Sequence, residues 1–189
     1  MNAVQYALAE FDVIRRQAAG VDPAACEKFV DELQAAKRIF VGGAGRSLLS
    51  MKMFAMRLMQ TNHAVFLVGG ACTPGIGPGD MLAVGSGKGG TSATLELVRK
   101  ARRNGARAAL ITGNPAGSIA AEADVVLTIP PPAEVDGEDA TETVFMKRNL
   151  PGNFFEIACI VVGDGLIARI MERKGLGGSV IMRNHANLE

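Results

Sequence analysis

Tryptophan is absent from this 189-residue chain, and aromatic residues of all kinds make up only 5% of it. Its core must therefore be built mainly from alanine, valine, leucine, isoleucine and methionine, a composition that suits a parallel sheet covered by helices. The three cysteines, Cys26, Cys72 and Cys159, are odd in number, widely spaced and free of C-x-x-C pairs, so they indicate neither a disulfide framework nor a zinc site. We therefore expect a cytoplasmic protein that binds no metal.

A strong excess of either charge is also missing, because 20 lysines and arginines stand against 19 aspartates and glutamates. The resulting net charge near +1 gives no broad basic surface of the kind that binds nucleic acids or anionic membranes. No uncharged apolar run reaches the length needed to span a bilayer, and the first residues lack the pattern of a secretory leader. These absences predict an unprocessed protein whose partner is a small molecule, not a nucleic acid or a membrane.

Five short apolar segments alternate with helical patterns over residues 37–130, and two helical patterns precede them within residues 1–36. The segments are Arg38–Val41, Ala64–Val68, Asp80–Val84, Ala108–Thr112 and Val125–Ile129. Such alternation is typical of parallel strands that are joined by right-handed crossovers. We therefore predict an α/β fold, a three-layer αβα sandwich with a five-stranded parallel sheet of the flavodoxin-like type, whose ligands bind at the carboxyl ends of the strands.

The rest of the chain completes one predicted domain over residues 1–189, a length that suits a single α/β domain. A short helix is expected after Pro115. An acidic, proline-rich loop is predicted over residues 131–152, and a long apolar helix with a tail over residues 153–189.

The third apolar segment runs into a glycine-rich turn, GSGKGGT at residues 85–91, which is followed by a helical pattern. Glycines let a ligand approach the backbone, and the first N–H groups of a helix favour negative charge. Ser86, Lys88 and Thr91 add hydroxyl groups and a cation, so the turn predicts a phosphate site. The alternative is a glycine connection that serves only tight packing of strand and helix.

Two nucleotide-binding patterns fail at this turn, although it formally contains G-x-G-x-x-G. A dinucleotide site also needs an acidic residue at the end of the next strand, and that strand ends in Thr112-Gly113-Asn114. A Walker A loop needs serine or threonine directly after its lysine, where this chain has Gly89. The sequence thus favours a single phosphate, and an NAD-dependent reductase is a weaker alternative.

A second glycine turn ends in Gly45-Arg46-Ser47 and links the first apolar segment to a helix. Both turns open on the same edge if the strands are parallel. Arg46 offers a guanidinium fork and Ser47 a hydroxyl, and both groups suit a sugar phosphate. The plainer alternative makes Ser47 an ordinary N-cap and Arg46 a solvated surface residue.

Longer motifs resemble those of SIS-type sugar isomerase domains, and closely those of the 6-phospho-3-hexuloisomerase family of the ribulose monophosphate pathway. They are GAGRS at residues 43–47, FAMRLM at 54–59, TPGIGPGD at 73–80, LITGNP at 110–115 and HANLE at 185–189. The resemblance spans nearly the whole chain. It implies a homotetramer that interconverts D-arabino-hex-3-ulose 6-phosphate and D-fructose 6-phosphate through an enediol without a cofactor.

The resemblance also implies roles for single residues. Glu156 matches the base that moves a proton between neighbouring carbons, whereas its plainer interpretation is a first-turn glutamate that favours the helix dipole. His185 matches a terminal histidine thought to reach the active site of a neighbouring subunit, and its plainer interpretation is a residue of a frayed tail. The predicted substrate-binding residues are Gly45, Arg46, Ser47, Ser86, Gly87, Lys88 and Thr91.

The chain departs from the family pattern in its phosphate turn, which reads GSGKGGT where the family usually has GSGSGET. Lys88 and Gly90 therefore replace a hydroxyl and a carboxylate. Lys88 can contact a phosphate through its charge, so we expect phosphate binding to persist while the identity of the sugar stays open. A non-catalytic sugar-phosphate sensor and an isomerase of another phosphosugar are the main alternatives.

Overall fold

A computed structural model describes residues 2–132 and 153–188. It begins with two helices, α1 (Ala3–Ala19) and α2 (Pro23–Ala35). Asn2 and Gln5 form a reciprocal capping box at the start of α1. Asp22 caps α2, whose first residue is proline. The two predicted N-terminal helices are therefore confirmed.

Five strands follow: β1 (Ile39–Gly43), β2 (Val65–Leu67), β3 (Met81–Ser86), β4 (Arg107–Thr112) and β5 (Val125–Thr128). They form one parallel sheet in the order β2-β1-β3-β4-β5, which confirms the predicted flavodoxin-like winding. Every residue of β3 is buried, because helices cover both faces of the sheet. This burial explains why the strand is a continuous apolar run and not an alternating pattern.

The other helices in the described ranges are α3 (Gly45–Gln60), α4 (Ser92–Arg103), a 3-10 turn (Ala120–Glu122), α5 (Asn153–Arg173) and α6 (Gly178–Arg183). Residues of α1, α2, α3 and α5 pack together with one face of the sheet in the larger core cluster. Residues of α4 and the 3-10 turn pack against the other face. The three predicted layers are confirmed, and the short helix expected after Pro115 is the 3-10 turn.

The predicted acidic loop over residues 131–152 lies outside the described residues from residue 133 onward. In the described ranges, no helix is both long enough and apolar enough to cross a membrane.

The connection between β2 and β3 has no helix over residues 68–80 and is held by an ion pair between a buried aspartate and a partly exposed arginine. Asp80, only 3% exposed, accepts two hydrogen bonds from Arg38 and one from the backbone N–H of Gly77. Arg38 also donates to the carbonyl of Gly75. The pair thus ties a loop rich in glycine and proline to the sheet.

Replacing Asp80 by asparagine is expected to destabilise the fold by about 2 kcal/mol at neutral pH, because Arg38 loses its charged partner at a largely buried site. Hydrogen bonds from Arg38 hold the pKa of Asp80 below its ordinary value of 3.8. The stabilisation is therefore fully present at neutral pH and is lost as the pH falls through the lowered pKa of the folded state. Denaturant unfolding should show a smaller difference between variant and parent near pH 3 than at pH 7. An equal difference at both pH values would contradict this account.

Candidate active site

The two glycine turns lie side by side at the carboxyl edge of the sheet. Strand pairing places Gly43 opposite Gly85, and a Cβ atom added to Gly43 would lie 3.3 Å from the carbonyl oxygen of Gly85. Helices α3 and α4 begin just beyond these turns, so their N-terminal N–H groups face the same region. The predicted meeting of the two turns at one edge is confirmed.

The carbonyl groups of the second turn, from Ser86 to Gly89, all accept hydrogen bonds from the last residue of β4 and the segment that follows it. The donors are Oγ1 of Thr112, the backbone N–H groups of Gly113 and Ile119, and Nδ2 of Asn114. The backbone N–H groups of Lys88, Gly90 and Thr91 donate no hydrogen bond to any residue that the structure describes. With its carbonyls occupied, the turn offers hydrogen-bond donors, as an anion site requires.

A cavity of about 690 Å³ opens at this edge, a volume typical of small-molecule sites. Residues of both turns, of α1 and of the start of α5 line it. They are Gln17, Ala44, Gly45, Arg46, Ser47, Gly87, Lys88, Thr91, Pro131, Pro132, Phe154, Phe155 and Glu156. Seven predicted site residues are among them: Gly45, Arg46, Ser47, Gly87, Lys88, Thr91 and Glu156.

Glu156 lies in the first turn of α5, and its side chain is only 12% exposed. Its Oε1 accepts a hydrogen bond of 3.2 Å from the hydroxyl of Ser47, and its Oε2 lies 3.7 Å from Nε of Arg46. Oε2 is buried and has no hydrogen-bond partner in the described part of the chain. Ser47 thus holds the carboxylate by one oxygen, while the other accepts no hydrogen bond from residues 2–132 and 153–188.

The Ser47 hydroxyl therefore has a role that differs from its plainer interpretation. The N-cap of α3 is Ala44, so the alternative that made Ser47 an ordinary N-cap is wrong. Ser47 lies inside the first turn of α3 and reaches across to α5. This contact joins the first glycine turn to the carboxylate.

Two aromatic rings fix the start of α5 against the rest of the site. A Cβ atom added to Gly87 would lie 2.9 Å from Cδ1 of Phe155, so this ring packs directly on the second glycine turn. Phe154 packs with Val13 of α1. Both rings are buried, so apolar surface surrounds the helical turn that presents Glu156.

Two predicted residues do not line the described cavity. Ser86 is buried beneath the second turn, and its hydroxyl lies 3.5 Å from Oγ1 of Thr91. His185 lies beyond α6 in a separate depression that Asn62 and His63 also line. The two depressions share none of the lining residues that the structure describes. Within one chain, His185 and Glu156 therefore line two separate depressions.

Gln17 is a cavity residue that the sequence analysis missed. It lies in α1 and is only 3% exposed. One signal could have found it: Gln17 stands four residues after Val13 and three after Ile14, both of which are buried. An amide at that spacing places a polar group on the buried face of an amphipathic helix.

Known proteins with similar sequence and structure cover most of the chain. The SIS domain family matches residues 32–146. The chain is 31% identical to the 3-hexulose-6-phosphate isomerase of Bacillus subtilis over the full length of both. It is 37% identical to the protein of that name from Methylomonas aminofaciens, covering 94% of this chain and 93% of the other. A crystal structure from Methanococcus jannaschii, described as a hypothetical protein with an inferred function of 3-hexulose-6-phosphate isomerase, superposes with a TM-score of 0.80 at 27% identity and covers 95% and 99% of the two chains.

Proposed function

Because this chain belongs to the SIS domain family, we propose that it is a sugar phosphate isomerase that interconverts D-arabino-hex-3-ulose 6-phosphate and D-fructose 6-phosphate. One observation carries the proposal: Glu156 shares a cavity with a glycine turn that presents hydrogen-bond donors to an anion. Its relatives from Bacillus subtilis and Methylomonas aminofaciens bear the name of this isomerase. The proposal treats residues 1–189 as one SIS domain.

The reaction moves a carbonyl group between C3 and C2 of the sugar. A base takes the proton from C2 of the 3-ketose while the carbonyl oxygen on C3 gains a proton, which gives a 2,3-enediol. The proton then returns to C3, and the hydroxyl on C2 loses its proton and becomes the new carbonyl. Glu156 suits this role because its Oε2 has no hydrogen bond within the described residues while Ser47 holds its Oε1. Arg46, 3.7 Å from the carboxylate, is placed to stabilise negative charge on the enediol oxygens.

We assign the phosphate to the second glycine turn and the N-terminus of α4. Lys88 supplies a positive charge there, and Thr91, whose hydroxyl does not cap its own helix, supplies a donor. Gly87 and Gly45 allow close approach of the backbone. Ser86 acts in this proposal through its neighbour Thr91.

A homotetramer with shared active sites is part of the proposal. Apolar side chains are exposed on α1, at Val4, Leu8 and Phe11, and on α3, at Leu49, Met53 and Met56. Each set follows helical spacing, so each forms an apolar stripe of the kind that subunit contacts cover. In such an assembly, His185 of one subunit would complete the cavity of another.

A cytoplasmic location belongs to the same proposal. Cys26, Cys72 and Cys159 are all free thiols, which suits a reducing compartment. Burial raises the pKa of the Cys159 thiol to about 11, so this group stays protonated and unreactive.

Incubation with fructose 6-phosphate in deuterium oxide tests the reaction. We expect each sugar molecule to gain about one mass unit during prolonged incubation, because the proton held by the base exchanges with solvent before it returns to carbon. A sample without protein is the control. If calorimetry shows that fructose 6-phosphate binds while no deuterium enters at carbon, the protein is a sensor and the proposed reaction is wrong.

A further inference from the structure

We propose that Gln17 selects the sugar by accepting, at its side-chain oxygen, a hydrogen bond from a hydroxyl group of the bound substrate. The inference rests on the proposed function, which puts a polyhydroxylated phosphate ester in the cavity that Gln17 lines. It adds a residue of α1 to a site otherwise built from the glycine turns and α5.

The orientation of the amide follows from its one hydrogen bond. Nε2 of Gln17 donates to the carbonyl oxygen of Pro130 over 2.8 Å. The reversed amide would bring two oxygen acceptors together, so the nitrogen must face Pro130 and the oxygen must point elsewhere. Pro130 is held close to α1 at Gly20, where an added Cβ atom would lie 2.9 Å from the proline ring.

The oxygen of this amide has no partner among the residues that the structure describes. Oε1 of Gln17 is buried, and no described residue donates a hydrogen bond to it. Buried acceptors in folded proteins are nearly always paired, because an unpaired one forfeits the hydrogen bonds it would make in water. A sugar hydroxyl is a donor that would remove this deficit on binding.

The position of Gln17 associates it with the reacting part of the sugar. Gln17 lies one helical turn after Val13, and Val13 packs with Phe154 at the start of α5. Glu156 is two residues further along α5. The amide therefore lies beside the helical turn that carries the base, and its partner is a hydroxyl near the reacting carbons, not the phosphate.

Such a contact gives selectivity. A site with a buried acceptor discriminates strongly against an analogue that lacks the matching hydroxyl, since the acceptor then stays unpaired. An anion without hydroxyl donors at that place, such as inorganic phosphate, gains nothing from Gln17.

The test compares two ligands in the full-length protein carrying Gln17→Met, a change that keeps side-chain length and removes the amide. We expect kcat/KM for fructose 6-phosphate to fall about 10-fold, while the affinity for inorganic phosphate, measured by calorimetry, changes less than about two-fold. Gln60→Met is the matched control. Gln60 is also a buried helical glutamine, but it bonds to Arg57 and is not among the described lining residues of the cavity, so this variant should keep the parent ratio of the two quantities.

Equal losses for fructose 6-phosphate and inorganic phosphate would show a structural role and overturn the proposal, as would a Gln17→Met protein with parent kcat/KM. If Gln17→Met does not fold, Gln17→Asn keeps an amide one methylene shorter and should show a smaller loss of the same selectivity. If the parent protein binds fructose 6-phosphate without turnover, the proposed function fails. The affinities of parent and variant for the two ligands then still decide the role of Gln17.

Discussion

Replacing Glu156 by glutamine is expected to lower the isomerisation rate by about a thousand-fold while the affinity for inorganic phosphate stays within about two-fold of the parent. Glutamine has nearly the same shape and can still accept the hydrogen bond from Ser47, but it cannot take a proton from carbon. Single-turnover rates and calorimetric phosphate binding, measured on the same preparation, check both halves of this expectation.

Two further substitutions sharpen the result. Glu172→Gln removes an exposed carboxylate from the same helix, and it should leave both the rate and phosphate binding unchanged. Lys88→Met should give the opposite pattern to Glu156→Gln, with phosphate affinity reduced about 10-fold through loss of a charged contact. If Glu156→Gln weakened phosphate binding as much as Lys88→Met does, the separation of the cavity into a phosphate end and a chemical end would be wrong.

His185→Ala is expected to reduce turnover about 100-fold, because the proposed tetramer uses this imidazole in the active site of a neighbouring subunit. The separation of His185 from the cavity of its own chain makes this prediction specific, since a role within one subunit would need the tail to move. Steady-state rates of the purified variant provide the measurement.

Co-expression of His185→Ala with Glu156→Gln tests whether His185 acts in its own subunit or in a neighbouring one. In mixed tetramers, about one quarter of the sites would combine an intact Glu156 with an intact His185 from another subunit, and activity should return in that proportion. Neither variant alone supplies such a site, so each homotetramer is the control. Mixed tetramers that stay as inactive as the two single-variant homotetramers would show that His185 does not act across a subunit interface.

Many features of the site can be predicted from the amino-acid sequence because they are local. The turn at residues 85–91 needs glycines where the backbone bends and a helix start that offers N–H groups, and consecutive residues of the sequence meet both requirements. The alternation of apolar segments with helical patterns likewise fixes the winding of the sheet, since parallel neighbours require crossovers of that length. Glu156 was found by resemblance, because its residue type and helix position alone fit an ordinary first-turn glutamate equally well.

The parallel sheet, the two glycine turns and their common edge can be predicted from the amino-acid sequence alone, because each follows from short-range periodicity and backbone chemistry. Which side chains meet at that edge depends on the tertiary structure. The hydrogen bond between Ser47 and Glu156 joins residues 109 positions apart, and that between Gln17 and Pro130 joins residues 113 positions apart. Such pairs depend on how α1 and α5 dock on the sheet, a result of packing over the whole core that no local pattern records. For the same reason the sequence did not single out Gln17, and only the folded chain shows His185 apart from the cavity of its own subunit.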